Sequence, residues 1–277
     1  MSVRAIMQWL GDAVTAAADL MARPWERIGD FWAIAFFSLL SALWALIAYK
    51  LISQQARISA AKSRIFAHFL GVYLFRDEPR QVLRIQSKLF GAIARYLAYS
   101  LPALVLIVPV ILAVFVQLQL RYGWRPPRPG EEIAVSCRWS PEKEGEASLK
   151  LPPELELRGA PHVIRRLGET SWRIVPVVEG AHRLVFWRGE EAVVKVLISG
   201  SYDGRLYPLT GKPGAETLLL YPGQKTLEPE SGFNLLRVDY PGRRVRAAGM
   251  EMHWLAWYFI LTAVFALVLK KPLKVDF

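Results

Sequence analysis

Cysteine, a cleavable leader and recognisable catalytic signatures are all scarce or missing from this sequence, and each shortage removes a class of protein. Cys137 is the only cysteine in 277 residues, so neither an intrachain disulfide nor a cysteine-based zinc site can form. The first thirty residues lack the succession of charged start, short apolar run and small-residue cleavage site that marks a removable signal, so residues 1–277 are expected to be the mature chain. Four histidines, His68, His162, His182 and His253, are scattered along the chain. None has a histidine or carboxylate four residues away, as a zinc helix requires, and each reads as structural or exposed. No G-x-S-x-G elbow, phosphate loop or dinucleotide fingerprint is present, and the glycines of 200–204 and 211–214 read as turns. A conventional enzyme is therefore not expected, nor a cofactor, nor a metal.

Apolar length is abundant instead. Hydrophobic residues make up 53% of the chain, ten tryptophans are present, and mean hydropathy is +0.23, which exceeds the norm for a soluble domain of this size. Residues 31–48, 97–120 and 254–269 form three runs able to cross about 30 Å of hydrocarbon, which takes roughly 20 helical residues. None has a charge in its middle. Trp32, Tyr122, Trp254, Trp257 and Tyr258 fall near their ends, where amphipathic rings favour the interface.

Lysine and arginine distribution orients these runs. Between residues 53 and 96, Arg57, Lys62, Arg64, Arg76, Arg80, Arg84, Lys88 and Arg95 face only Asp77 and Glu78, as expected of a cytoplasmic loop. The tail, with Lys270, Lys271 and Lys274 against Asp276, is also basic. The N-terminal segment is not, because Arg4, Arg23 and Arg27 meet Asp12, Asp19, Glu26 and Asp30. The N-terminus is thus expected outside, the C-terminus inside, and the long segment before the third run outside.

Between the runs the periodicities differ. Residues 1–28 place Ile6, Leu10, Val14, Ala17 and Met21 at helical spacing, an amphipathic helix ended or kinked by Pro24, which either lies on the outer leaflet or packs against the β-domain or another chain. In 53–96, Ile58, Ala61, Ile65, Phe69 and Val72 form one helical stripe, and Val82, Ile85, Leu89 and Ile93 form another. Pro79 stands where it suits the first turn of the second helix. The expected product is a basic helical hairpin whose stripes zip its arms together. Its charges serve either anionic headgroups or ribosomal RNA.

Pro102 and Pro109 in the second run should kink it, freeing carbonyls that need a neighbouring helix, a hydroxyl or water. Arg-Pro-Pro-Arg-Pro-Gly at 125–130 is a stiff linker. Beyond it, 132–139, 147–151, 172–178, 183–187, 192–199, 217–221 and 235–240 read as short strands, with a hairpin at 188–191. About seven such strands suggest a small antiparallel β-sandwich.

The expected fold class is therefore membrane α-helical, with three transmembrane helices, a cytoplasmic helical hairpin and an antiparallel β-sandwich-like extracytoplasmic domain. Its pieces are 1–28 (amphipathic helix), 31–52 (first span), 53–96 (hairpin), 97–120 (second span), 125–250 (β-domain), 254–270 (third span) and 271–277 (tail).

That order of parts resembles the core plan of the YidC/Oxa superfamily: an N-out first span, a basic cytoplasmic hairpin, a returning second span and a last span ending inside. The stretch Leu101-Pro-Ala-Leu-Val-Leu-Ile-Val-Pro109-Val-Ile-Leu looks like the proline-bearing second core helix of its archaeal members. The resemblance covers residues 31–120 and 254–274. It departs from the family in two places: no charged residue stands in mid-span, where some members keep a lone arginine, and the β-domain replaces a short link. The resemblance implies an insertase or membrane chaperone of the bacterial inner membrane, with a shallow polar groove among three helices and a hairpin that captures its client. Carried onto this chain, Ser38, Ser41, Lys50, Ser100 and Thr262 become groove candidates. Arg57, Arg64, Arg80, Arg84 and Lys88 become candidates for capturing a client or headgroups. Helix-to-helix hydroxyl bonds remain the plainer reading of the serines and the threonine. Expected partners are membrane lipids, nascent or small membrane-protein clients, the ribosome, and an envelope partner for the β-domain. The competing functions are an envelope scaffold acting through that domain and a subunit of an oligomeric channel or transporter.

Overall fold

A computed structural model describes residues 3–26, 28–52, 55–75, 77–140, 146–202, 204–273 and 275. Arg27, Arg76, Lys274 and Asp276, used above to count charge, lie outside the described residues. Three helices are long and apolar enough to cross a membrane: α2 (Asp30–Ile52), α4 (Pro79–Tyr122) and α6 (Trp254–Leu273). The other helices are α1 (Val3–Glu26), α3 (Gln55–Leu74) and α5 (Ala215–Leu220). The chain divides into two compact units, residues 1–33 with 115–254 and residues 34–114 with 255–277.

The first unit holds α1 and an antiparallel β-region. Its strands are β1 (Ile133–Trp139), β2 (Ser148–Lys150), β3 (Leu155–Leu157), β4 (His162–Ile164), β5 (Glu169–Pro176), β6 (Gly180–Arg188), β7 (Glu191–Ser199), β8 (Leu209–Gly211), β9 (Phe233–Val238), β10 (Arg244–Ala247) and β11 (Met250–His253). A six-stranded sheet runs β3-β5-β1-β9-β8 with β4 also on β5, a three-stranded sheet runs β2-β6-β7, and β10 pairs with β11. Alternation decides what each strand buries: β1 turns Ile133, Val135, Cys137 and Trp139 inward. These meet Trp172 and Ile174 of β5, Leu184 and Phe186 of β6, Leu197 of β7 and Leu236 of β9 in one core shared by both large sheets. Edge-to-face pairs link the sheets, Trp172 with Phe186 at 5.8 Å and Phe186 with Phe233 at 6.4 Å between centroids. Burial in this core pushes the Cys137 thiol up to about 12, so it remains protonated and inert.

The ends of the β-region are tied down by charge. Arg125 grips Glu131 with two 2.7 Å bonds while the Arg128 amide donates to the same carboxylate at 2.9 Å, which fixes the proline linker and holds Glu131 down to about 2. Arg188 donates to the carbonyls of Gly232 (3.0 Å) and Ser140 (2.8 Å) and stacks 4.7 Å from the Trp139 ring.

α1 packs against this β-region, which decides between its two sequence readings only for its inner face. Ala18 and Ala22 are buried, and Gly11 lies against Pro222 so closely that a Cβ there would sit 3.2 Å from the proline ring. Asp19 receives hydrogen bonds from both Arg121, at the end of α4, and Arg205, which also donates to the Thr15 carbonyl at 2.9 Å. Both arginine side chains are nearly fully buried, so the carboxylate they share is their charge balance. On the opposite side of α1, Trp9 and Leu20 are exposed.

The second unit contains most of α2 and α4, all of α3, and α6 from Leu255 onward. α3 ends at Leu74 and α4 begins with Pro79 at its first helical position, as the spacing predicted. α4 then runs unbroken for 44 residues through both Pro102 and Pro109. The arms of the hairpin meet along a narrow antiparallel seam of small residues: Ile58, Ala61 and Ala92 are buried, Gly71 faces the Ile85 side chain, and Arg57 lies 6.0 Å from the Tyr99 ring. Phe69, expected on that seam, is instead 66% exposed. With a single neighbouring arm the buried strip is narrow, and Phe69 joins Phe66, Leu70, Tyr73 and Leu74 on an outward stripe of spacing three and four.

Two other expectations need correction. Residues 217–221 are not a strand but belong largely to the short helix α5, because Ala215, Glu216 and the leucines 218–220 are strong helix formers that outweigh the single β-branched Thr217. The expected seven strands become eleven among the described residues: β3, β4, β8, β10 and β11 have three or four residues each, too few for an alternation to register. The hairpin at 188–191 is as read, with Arg188 paired to Glu191 and Gly189 at φ +58 in the turn.

Asp19→Asn should leave two buried guanidiniums without their carboxylate. The expected loss is about 1–3 kcal/mol, below that of a fully buried pair because Asp19 is partly exposed. It would be read as a lower melting midpoint of the solubilised chain; an unchanged midpoint would show that the clamp contributes nothing. A second expectation concerns Lys195, whose Nζ is buried and donates only to the Tyr207 carbonyl (3.1 Å) and Thr210 Oγ1 (2.6 Å). Burial lowers it from 10.5 to about 7. Between those values the unfolded chain holds a proton that the folded chain lacks, so stability rises with pH through that window and is flat below it. From pH 7 to pH 9 the gain is at most about 2–3 kcal/mol, and Lys195→Met should abolish it; equal pH slopes for the two proteins in thermal melts would refute the assignment.

Candidate functional site

Hydroxyl-bearing residues are few in the apolar helices, and the structure gathers several of them at one place between α2 and α6. Ile34, Ser38, Ser41 and Ala42 share one face of α2 and are all buried. Ser38 Oγ donates to the Ile34 carbonyl at 2.8 Å, the usual recourse of a serine in an apolar helix, and also lies 3.3 Å from the Tyr258 carbonyl of α6. Small side chains on this face let the second backbone approach closely.

Deeper along the same contact the polar groups are not satisfied. Ser41 Oγ, Thr262 Oγ1 and Trp44 Nε1 are buried and meet no partner with full hydrogen-bond geometry. The Tyr258 hydroxyl is the hydrogen-bonding neighbour of both Ser41 and Thr262, close enough to interact with each but not aligned to satisfy them fully. Leaving a buried hydroxyl unbonded costs roughly 1–3 kcal/mol, and hydrocarbon supplies no water to relieve it. Ser41 stands midway along α2 and Thr262 near the middle of α6. The arrangement has no nucleophile with an activating base; it offers hydrogen-bonding capacity in an otherwise apolar layer.

Of the groove candidates, then, Ser38, Ser41 and Thr262 come together. No described contact joins Lys50 or Ser100 to them. Lys50 is exposed in the last turn of α2, and the Ser100 hydroxyl donates to the Tyr96 carbonyl at 3.0 Å within α4. Pro102 and Pro109 are exposed on α4. Tyr258 was read as an interfacial ring, yet it is almost fully buried at the centre of the cluster. Its spacing of four from Thr262 was the available sign that both occupy one helical face.

The charged candidates also separate. Arg57 and Arg64 of α3 line a crevice of about 160 Å³ with Arg95 and Tyr99 of α4, floored by Ala60, Ala61 and Ala92. Arg80, Arg84 and Lys88 are exposed at spacings of four along the α4 arm, nearer the hairpin tip. In the β-region, the chain arches away from β5 between β3 and β4, with Gly159 at φ +78, and the resulting cleft of about 460 Å³ is lined by Arg158, His162, Ser171 and Arg173. His182 is structural, held between the Val178 carbonyl and Ser199 Oγ at 3.1 and 2.8 Å.

No family model matches this chain, and neither a curated protein nor a solved structure does.

Removing the unpaired hydroxyls by Ser41→Ala together with Thr262→Val should leave the melting midpoint unchanged or raise it, with a gain of up to about 2 kcal/mol. A fall of several degrees in detergent or nanodiscs would show that the hydroxyls are satisfied and structural.

Proposed function

We propose that this chain is a multi-pass membrane-protein insertase or membrane chaperone of the YidC/Oxa type. In this reading α1 and the β-region lie outside the cell, and the hairpin of α3 and α4 and the C-terminus lie in the cytoplasm of a bacterial inner membrane. Two spans separate α1 from the β-region, so both belong on one side, and the shared Asp19 with Arg121 and Arg205 supports that. The excess of lysine and arginine around the hairpin supports its placement inside.

The observation that carries the functional reading is the buried cluster of incompletely satisfied hydroxyls at Ser41 and Thr262 around Tyr258. An incoming chain must carry polar groups through hydrocarbon, where an isolated charge costs at least several kcal/mol. A helix pair that already bears unsatisfied polar groups gains hydrogen bonds from such a passenger and lowers that cost. The hairpin supplies the complementary surface: Phe66, Leu70, Tyr73 and Leu74 are exposed on α3, apolar enough to receive an emerging span, with Arg80, Arg84 and Lys88 on the other arm. Lipids, short membrane-protein clients and the ribosome are the partners this reading calls for. A second reading, an envelope scaffold, is favoured by the cleft around Arg158, His162 and Arg173.

The test is insertion of a single-span, short-tailed client into proteoliposomes. Wild-type protein should raise insertion above empty liposomes. Phe66→Ser with Tyr73→Ser should lower it roughly tenfold, since burying one such ring is worth about 1.5–3 kcal/mol. Insertion equal in empty and protein-bearing liposomes would overturn the insertase reading and leave the scaffold.

A further inference from the structure

Among the described residues, the three arginines at the base of the hairpin have no counter-ion. Arg57, Arg64 and Arg95 converge on the crevice from both arms, and none pairs with a carboxylate among the described residues. Within their unit the described carboxylates are Asp77 and Glu78 alone. Glu78 is seventeen residues from Arg95 along α4, roughly 25 Å at 1.5 Å per residue, well beyond the Debye length of about 8 Å in physiological salt. Part of each guanidinium is already oriented: Arg95 Nε donates to the Gly91 carbonyl at 3.1 Å, which leaves its terminal nitrogens free, and Arg57 is braced 6.0 Å from the Tyr99 ring. Alanines at 60, 61 and 92 keep the space between the arms open.

We propose that this crevice binds the phosphate of an anionic phospholipid headgroup. Arg57 begins five residues after the end of α2, and Arg95 and Tyr99 flank the start of the apolar part of α4, so the crevice sits where the two long apolar helices give way to the hairpin, at headgroup level. Guanidiniums suit phosphate oxygens through paired N–H donors, and basic pockets at the cytoplasmic ends of membrane helices take anionic headgroups. A volume of about 160 Å³ admits the phosphate and adjoining headgroup atoms, while the acyl chains extend along the apolar surface of α4. The inference rests on the membrane reading of α2 and α4 and is independent of insertase activity.

The experiment is native mass spectrometry of the full chain released from mild detergent with phosphatidylglycerol, phosphatidylcholine or inorganic phosphate added. Retention of phosphatidylglycerol over phosphatidylcholine is expected, with no retention of inorganic phosphate at the same concentration. Arg57→Gln, Arg64→Gln and Arg95→Gln combined should weaken retention roughly a hundredfold. The tip variant Arg80→Gln, Arg84→Gln and Lys88→Gln, which removes the same charge, should change it little. Ala60→Leu fills the crevice without altering charge and should also lower retention, which keeps the test decisive if the triple variant fails to fold. Equal loss in the base and tip variants, retention by Ala60→Leu at the wild-type level, or equal retention of the two lipids would overturn the proposal. Retention of inorganic phosphate alone would reassign the site to a free anion. Loss of lipid binding with normal client insertion would sink this inference and spare the insertase reading; the reverse would do the opposite.

Discussion

One carboxylate ties together segments far apart in the chain. Asp19 of α1 is shared by Arg121, at the end of the longest helix, and by Arg205, between β7 and β8. Two guanidiniums withdrawn from water demand compensation, and the acid they share supplies part of it to both. All three residues belong to the first unit, so this local charge balance fastens α1 to the β-region and to the end of α4. Arg243 repeats the device on a smaller scale, donating to Asp30 at the start of α2 at 2.8 Å.

The two units are held by different physics. The β-region is stabilised by removal of apolar surface from water, with Phe186 at the meeting point of the sheets and polar side chains such as Arg188 spent on backbone carbonyls at the edges. The α2 and α6 contact cannot draw on that force where hydrocarbon surrounds it, and small residues and hydroxyls take over. Unbonded hydroxyls would be a defect in a water-soluble core. Between α2 and α6 they leave hydrogen-bonding capacity in an otherwise apolar layer.

The hairpin combines both modes. Its seam is closed by Ile58, Ala61 and Ala92, while its outward stripe and its basic crevice stay open. Exposed rings at Phe66 and Tyr73 and the arginines that converge at the base leave both an apolar stripe and a basic crevice on the surface of this unit.

By itself the sequence determined the three apolar helices, the turn at Pro79, the β6–β7 hairpin at Gly189 and most of the longer strands. Each follows from a local rule: hydrocarbon thickness sets the length of an apolar run, proline lacks an N–H, a two-residue turn needs positive φ, and a strand alternates its faces. Tertiary structure alone decided the five short strands, which exist because β5, β9 and each other offer partners, and the helix at Ala215–Leu220 where alternation had suggested a strand. It also decided that Phe69 faces outward, that Tyr258 is buried between Ser41 and Thr262, and that Arg57 and Arg64 meet Arg95 while Arg80, Arg84 and Lys88 stay apart. Periodicity tells which residues share a face of a helix. Which face meets a neighbour, and how wide a strip that neighbour covers, depends on residues distant in the chain.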